Sequence, residues 1–436
     1  MAPTGPLPYF LDPALNRTDL SEEKMTMDRN PEHTWGHNLS FGEEYYQEAT
    51  RLLRKVHTDA ELIADVAQKA AEALRAGGKV YTDAAVGHMP PTEMANDREG
   101  NPAQIHCCGH NCSEEDHAAL AAGDVLITNQ VSSAVRQLRD AGVYVVGLPT
   151  AYVNGHNTPQ GKVHPNENDW LLKDVSSIVL ETHIPWDQGI VHMPQLPEMP
   201  VFPVSSNITC GIHWMLTAEV ARALATGTPA DGATGREYLD VLLERLEQIQ
   251  REDTAAVNDT AVVVAKRIIG DGRFYVRSRN PGVQGDANGV AAGLMLTNAF
   301  EMRAAGEGGD RDTLVIAAVS ADDSQELEWA EQARANGNYI VCIGPENSPE
   351  LQQKCDVYFR NRCAETAGVI AVENLPEKVC PATGILNNVI LQILTAQFVD
   401  EMCRRGAVPY FWMGVYRTGG TDYNRLMGEF FQERGY

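Results

Sequence analysis

Two stretches of this chain can be laid over each other. One begins at Leu196 and reads LPEMPVFPVSSNITCGIHWMLTAEVARAL; the other begins at Leu375 and reads LPEKVCPATGILNNVILQILTAQFVDEM. With one residue of gap, the Leu-Pro-Glu triplet, a later proline and the Leu-Thr-Ala triplet fall in register. Upstream of the first copy lie strand-like runs at 79–84, 124–128, 143–148 and 176–180. Upstream of the second lie runs at 273–277, 312–319, 339–343 and 356–359. Matching order and matching closing segments mean an internal duplication, so the chain has to fold as two like units. Helical or loop segments alternate with the strands, which argues for parallel sheets covered by helices on both faces.

The punctuation sets the boundaries. Residues 1–40 are rich in Pro and Asn, lack periodicity and read as an extended arm. Helices are expected at 41–57 and 59–76, stopped by Gly77-Gly78. The first unit spans 41–226, a linker near 227–235 (GTPADGATG) follows, and the second unit spans 236–436. The second unit opens with an amphipathic helix at 236–252 and an apolar one at 256–269, closed by Gly270 and Gly272.

Composition narrows the class. With 59 Asp and Glu against 35 Lys and Arg, the net charge is −24 and no basic stripe appears, which speaks against nucleic-acid binding. No apolar run reaches a membrane span of about 18 residues, and the N-terminus has neither basic start nor apolar core of a signal peptide. A cytoplasmic protein is expected. Its nine cysteines are odd in number and unframed, so reduced thiols fit better than disulfides.

Three further stretches carry a resemblance. Gly87-His88-Met89 is followed by Glu93 and Arg98. Residues 184–189 (IPWDQG) lead to Pro203-Val204-Ser205-Ser206. Near the C-terminus stands Thr418-Gly419-Gly420-Thr421-Asp422-Tyr423-Asn424. In this order they are similar to motifs of uncharacterised sugar isomerase (SIS) domain proteins, which bind phosphosugars. The likeness covers most of 45–436. It implies an α/β fold of two tandem flavodoxin-like, three-layer SIS domains, a small anionic sugar as ligand, no cofactor, and a homodimer or larger homo-oligomer. The family holds phosphate in a Ser/Thr-rich loop after a middle strand. The equivalents here are Thr128-Asn129-Gln130-Val131-Ser132-Ser133 and Ser320-Ala321-Asp322-Asp323-Ser324. Two adjacent carboxylates make the second loop unfit for a dianion, while Asn129, Ser132 and Ser133 suit one. Ser205 and Ser206, ahead of a helix near Ile208, face the sugar in the family; an N-cap role also accounts for them. Thr383 stands at the matching place in the second copy, and Ser320 and Asn424 are further binding candidates.

The chemistry is asymmetric. All 12 histidines lie at or before His213. At the first strand end the first unit has Gly87-His88, and the second has Arg277-Ser278-Arg279-Asn280. Ligands of open α/β sheets bind beyond the carboxyl ends of strands. Arg277 and Arg279, two residues apart on an extended run, share a face and suit an anion clamp or a surface ion-pair network. Isomerisation needs a base beside a carbonyl and an acid or base to open the ring. His88 and Glu93 are one candidate pair; Glu181, His183, Asp187 and His192 form another cluster. Metal binding is not expected; His106, Cys108, His110 and Cys112 would be the ligands if it occurred, although they read more readily as a strand edge and turn carrying thiols. Three functions fit: a sugar isomerase, an SIS-type lyase sharing its first proton abstraction, and a non-catalytic sugar-responsive regulator.

Overall fold

The computed structural model describes residues 39–83, 93–109, 112–150, 170–186, 188–297, 301–364, 367–415, 417 and 419–436. The first unit begins with helices α1 (Phe41–Thr58) and α2 (Ala60–Arg75). Ser40 caps α1 by accepting from the Glu43 N–H, and Glu43 and Glu44 sit at the positive end of its dipole. Then come β1 (Val80–Asp83), β2 (His106–Cys107), α3 (Glu114–Ala118), β3 (Val125–Thr128), α4 (Ser133–Asp140), β4 (Tyr144–Gly147), α5 (Leu172–Val175) and β5 (Ile178–Val179). A small antiparallel pair, β6 (Gly189–Val191) and β7 (Val201–Pro203), leads into α6 (Ser205–Thr226).

The second unit repeats the plan. It runs α7 (Ala233–Ile269), β8 (Phe274–Arg277), α8 (Pro281–Gly289), β9 (Thr313–Ala317), α9 (Ser324–Ala335), β10 (Tyr339–Gly344), α10 (Pro349–Lys354), β11 (Val357–Arg360), α11 (Thr383–Arg404) and α12 (Gly420–Arg434). An antiparallel bridge between Ile370 and Val379 stands where the first unit has its β6–β7 pair.

Both main sheets are parallel. The first has strand order β2-β1-β3-β4-β5, and the second has β8-β9-β10-β11. The first is the doubly wound 2-1-3-4-5 order, whose direction reverses between β1 and β3. Among the described residues the second sheet has no counterpart of β2. Among the described residues the switch point is seen in the first unit.

The helices explain why the halves do not separate. The residues of α6 and α11, apolar for the most part, are almost wholly buried, as expected of helices enclosed by others. Helix α11 packs on both α7 and α1, and α6 packs on α2 and α7. One continuous core runs through both units and includes Trp214, Tyr238, Phe274 and Phe398. Each Leu, Ile or Val that α11 buries there contributes roughly 1.5–3 kcal/mol. No described helix is long and apolar enough to cross a membrane.

Two local expectations need correction. Residues 236–252 and 256–269 belong to one 37-residue helix, α7. The polar run Arg251–Thr254 only turns an outer face to solvent, because no Gly or Pro breaks the backbone there. Ser205 and Ser206 do not precede their helix. They form its first turn, with Val204 at the cap position.

Candidate functional site

Each unit sends one carboxylate to the place where α6 and α11 begin. Glu93 follows β1, and Asp286, on α8, follows β8 at a matching distance along the chain. Both line a small cavity, together with Ser206, Asn207, Cys210, Asn280, Gly282, Val283, Gly384, Ile385 and Asn388. The cavity is built across the duplication. Glu93 and Ser206 come from the first unit, and Asp286, Asn280 and Asn388 from the second.

Asp286 is bound by neutral donors only. The Ser206 hydroxyl donates to its Oδ1 at 2.6 Å, and the Asn388 amide donates to its Oδ2 at 2.9 Å. Burial outweighs these bonds and pushes its pKa up from 3.8 to about 6. Glu93 is held differently. Asn280 Nδ2 donates to its Oε2, and Arg98 Nε approaches the same oxygen at 3.4 Å. Burial raises its pKa too, opposed by the nearby Arg98 charge. Arg98 also donates to the Thr383 hydroxyl at 2.8 Å, tying the carboxylate to the start of α11.

Glu93 fits because α11 has glycine at this point. A Cβ on Gly384 would run into the Glu93 carboxylate. In the duplicated alignment Gly384 stands where the first unit has Ser206. One copy makes room for a carboxylate and the other hydrogen-bonds one.

A polar chain extends from the cavity wall. Asn388 donates to Asn207 Oδ1 at 2.9 Å, and Asn207 donates to the Tyr45 hydroxyl at 3.1 Å. Tyr45 donates in turn to the Pro203 carbonyl at 3.1 Å. Two acceptors remain unused: Glu93 Oε1 and Asn388 Oδ1 are buried without a hydrogen-bond partner.

The remaining sequence candidates fall in several places. His88, Asp187 and His110 lie outside the described residues. Asn129, at the carboxyl end of β3 and so at the switch point, is fully buried with neither side-chain atom partnered. Ser132 caps α4 by accepting from the Val135 N–H, and Ser133 is that helix's first residue. Ser205 is buried in the first turn of α6. His183 pairs with Asp59, Nε2 to Oδ2 at 2.6 Å, at the corner between α1 and α2; neither it nor Glu181 lines the cavity. His192 stands beside Glu44. Asn424 clamps the backbone of Met413, donating to its carbonyl and accepting from its N–H, both at 2.8 Å.

Arg277 and Arg279 both turn to α9. The Arg277 guanidinium lies over the Trp329 ring at 5.6 Å. Arg279 pairs with Asp323 at 3.0 Å and with Glu326 at 3.5 Å, and donates to the Ser320 hydroxyl. Asp322 and Asp323 have backbone tasks as well, at the starts of α10 and α9.

The expectation of reduced thiols throughout is also corrected: Cys108 and Cys112 are joined by a disulfide. His106 is turned to Asn96, with Nδ1 3.0 Å from its amide nitrogen, and His106-Cys107 is the edge strand β2.

The residues missed from sequence are Asp286, Asn207 and Asn388. The signal available was polar residues inside otherwise apolar helices, as in Ser206-Asn207 and Asn387-Asn388.

No family model matches the chain. A UPF0309 protein of Listeria monocytogenes is 19% identical over 229 residues, which are 98% of that protein but 46% of this chain. A UPF0309 protein of Streptomyces griseus is 24% identical over 131 residues, 27% of this chain and 52% of that one. Among solved structures, a presumed phosphosugar isomerase from Clostridium difficile has a TM-score of 0.51 at 10% identity, covering 85% of this chain and 95% of that one. The fold, its two like sheets and these likenesses agree: this chain carries the sugar isomerase (SIS) domain fold in tandem, as two diverged units around a shared helical core.

Proposed function

We propose that this chain is an aldose–ketose isomerase acting on an anionic sugar derivative, with Glu93 as the base that removes the proton next to the carbonyl. The observation behind it is the cavity between α6 and α11, where two carboxylates of different environment stand beside unused acceptors. Burial raises the pKa of Glu93, Arg98 opposes that rise, and Oε1 is buried without a hydrogen-bond partner. Among the described residues Asp286 has no cation beside it, and its pKa of about 6 suits it to delivering and recovering a proton near neutrality. Asn388 Oδ1 would accept a sugar hydroxyl.

The anionic end is assigned to the loop after β3. Asn129 is unpartnered there, and α4 begins immediately after Ser132. The net charge of −24 makes such a local donor site necessary.

The test is hydrogen exchange at the carbon next to the carbonyl, followed by NMR in D₂O with sugar phosphates, sugar acids and sulfosugars. The wild-type chain should exchange and interconvert one of them. Glu93→Gln and Asp286→Asn should each slow exchange by about 10²–10⁴-fold. Exchange that persists in both variants overturns the assignment. Exchange with loss of a substituent instead of interconversion makes the chain a lyase, and tight binding with no exchange makes it a sugar-responsive regulator.

A further inference from the structure

The carboxyl ends of β1 and β2 hold a second cluster, apart from the cavity. Asp83 ends β1 and is fully buried. Its Oδ1 accepts from the Cys112 N–H at 2.9 Å, and its Oδ2 lies 3.7 Å from His117 Nε2. One ligand atom from each of Asp83, Cys112 and His117 lies within 4.8 Å of the others. Cys108 adjoins the group through its disulfide to Cys112. His117 Nε2 is itself buried and makes no hydrogen bond, although it points at this group.

We propose that Asp83, Cys108, Cys112 and His117 form a zinc site once the disulfide is reduced. The donor set is of the kind zinc prefers: two thiolates, one imidazole and one carboxylate. In a tetrahedral site with bonds of about 2.0–2.2 Å, an oxygen and a nitrogen ligand stand roughly 3.3–3.5 Å apart. The Asp83–His117 separation of 3.7 Å lies a few tenths of an ångström outside that edge. Cys112 is pinned by its backbone bond to Asp83, and His117 is carried by α3, whose capping box between Ser113 and Asp116 fixes the helix start. The backbone therefore supplies three of the four ligands nearly in place.

The chemistry balances through a dithiol. A small-molecule dithiol gives two electrons and two protons to the Cys108–Cys112 bond and becomes a disulfide itself. The two cysteine thiols then release their protons as Zn²⁺ binds. The oxidised pair cannot offer thiolates, so metal and disulfide exclude each other. The zinc form would pin the β2–α3 connection against the end of β1, beside the switch point.

The experiment uses the full chain, reduced with dithiothreitol under anaerobic conditions, loaded with zinc chloride or cobalt chloride and desalted. Elemental analysis should find one zinc per chain in the reduced protein and none in the oxidised one. The cobalt form should show a thiolate-to-cobalt charge-transfer band. Cys112→Ser and His117→Ala should weaken zinc at least about tenfold in competition with a chelator, and His106→Ala should leave it unchanged. Circular dichroism checks that each variant folds, and Cys108→Ser serves if Cys112→Ser does not. Reduced wild-type protein that holds no more zinc than a Cys108→Ser, Cys112→Ser double variant overturns the proposal. So does a folded His117→Ala that binds as tightly as wild type.

Discussion

Glu93 and Asp286 occupy corresponding places in the two units, and each reaches across to the closing helix of the other. Glu93 packs on Gly384 of α11, and Asp286 accepts from Ser206 of α6. This exchange joins two carboxylates in one cavity, and it makes Gly384 a position where side-chain volume is read directly.

Gly384→Ala should therefore destabilise the wild-type chain by about 1–3 kcal/mol, the cost of forcing an atom into a filled site. In a Glu93→Ala background the new methyl group finds room. The same change should then be neutral or stabilising by up to about 1 kcal/mol, because alanine favours a helix over glycine. Urea unfolding of the four proteins gives the coupling. An equal cost in both backgrounds would show that Glu93 does not occupy the space.

Asp286 makes stability depend on pH in a defined direction. Its pKa rises from 3.8 to about 6 on folding, so the native state holds its proton more tightly than the unfolded state does. Stability from this group is full below about pH 4, falls as pH rises through 6, and stays low above that. At about 1.4 kcal/mol per pH unit, the change is roughly 3 kcal/mol. Asp286→Asn removes it. The stability of wild type minus that of Asp286→Asn should fall by about that amount between pH 4 and pH 7. A flat difference, or one that rises with pH, would contradict a buried, neutral-leaning Asp286.

His213 should act with the opposite sign. It is buried within α6, and burial lowers its pKa from 6.5 to about 3. The native state refuses the proton that the unfolded state takes, so stability is full above about pH 6.5 and drains as pH falls. By pH 5 the loss is about 2 kcal/mol. His213→Gln should flatten that acid limb, measured as the slope of unfolding free energy between pH 7 and pH 5. An unchanged slope would mean that His213 titrates normally.

Much of the fold was legible, and the reasons are specific. The Leu-Pro-Glu and Leu-Thr-Ala registers mark α6 and α11 because both helices solve the same packing problem around one core. Strand positions followed from apolar runs bounded by turns. The 37-residue α7 was not legible, because an exposed polar stretch looks like a boundary when the neighbouring helices are unknown. The site was half legible. Glu93 stood out beside a Gly-His turn. Asp286 did not, because its burial comes from α8 packing against α11, far away in sequence. The pairing of Arg279 with Asp323 and Glu326 was hidden for the same reason: its partners stand at the start of α9, far along the chain.

Tyr45 and Tyr238 give the last test, since they keep one ancestral bond in two different settings. Tyr45 donates to the Pro203 carbonyl, and Tyr238 donates to the Pro381 carbonyl at 2.8 Å. Each proline stands just ahead of its unit's closing helix. Tyr45 also accepts from Asn207, which is linked through Asn388 to Asp286. Tyr45→Phe thus strands two buried partners and Tyr238→Phe strands one. With roughly 1–1.5 kcal/mol for each lost bond, the first variant should cost about twice the second. Only Tyr45→Phe should also move the pH at which Asp286 titrates, because it alone loosens the chain of amides that holds that carboxylate. If Tyr238→Phe proves as costly as Tyr45→Phe and both leave the titration untouched, the polar chain across α1, α6 and α11 does not couple these groups.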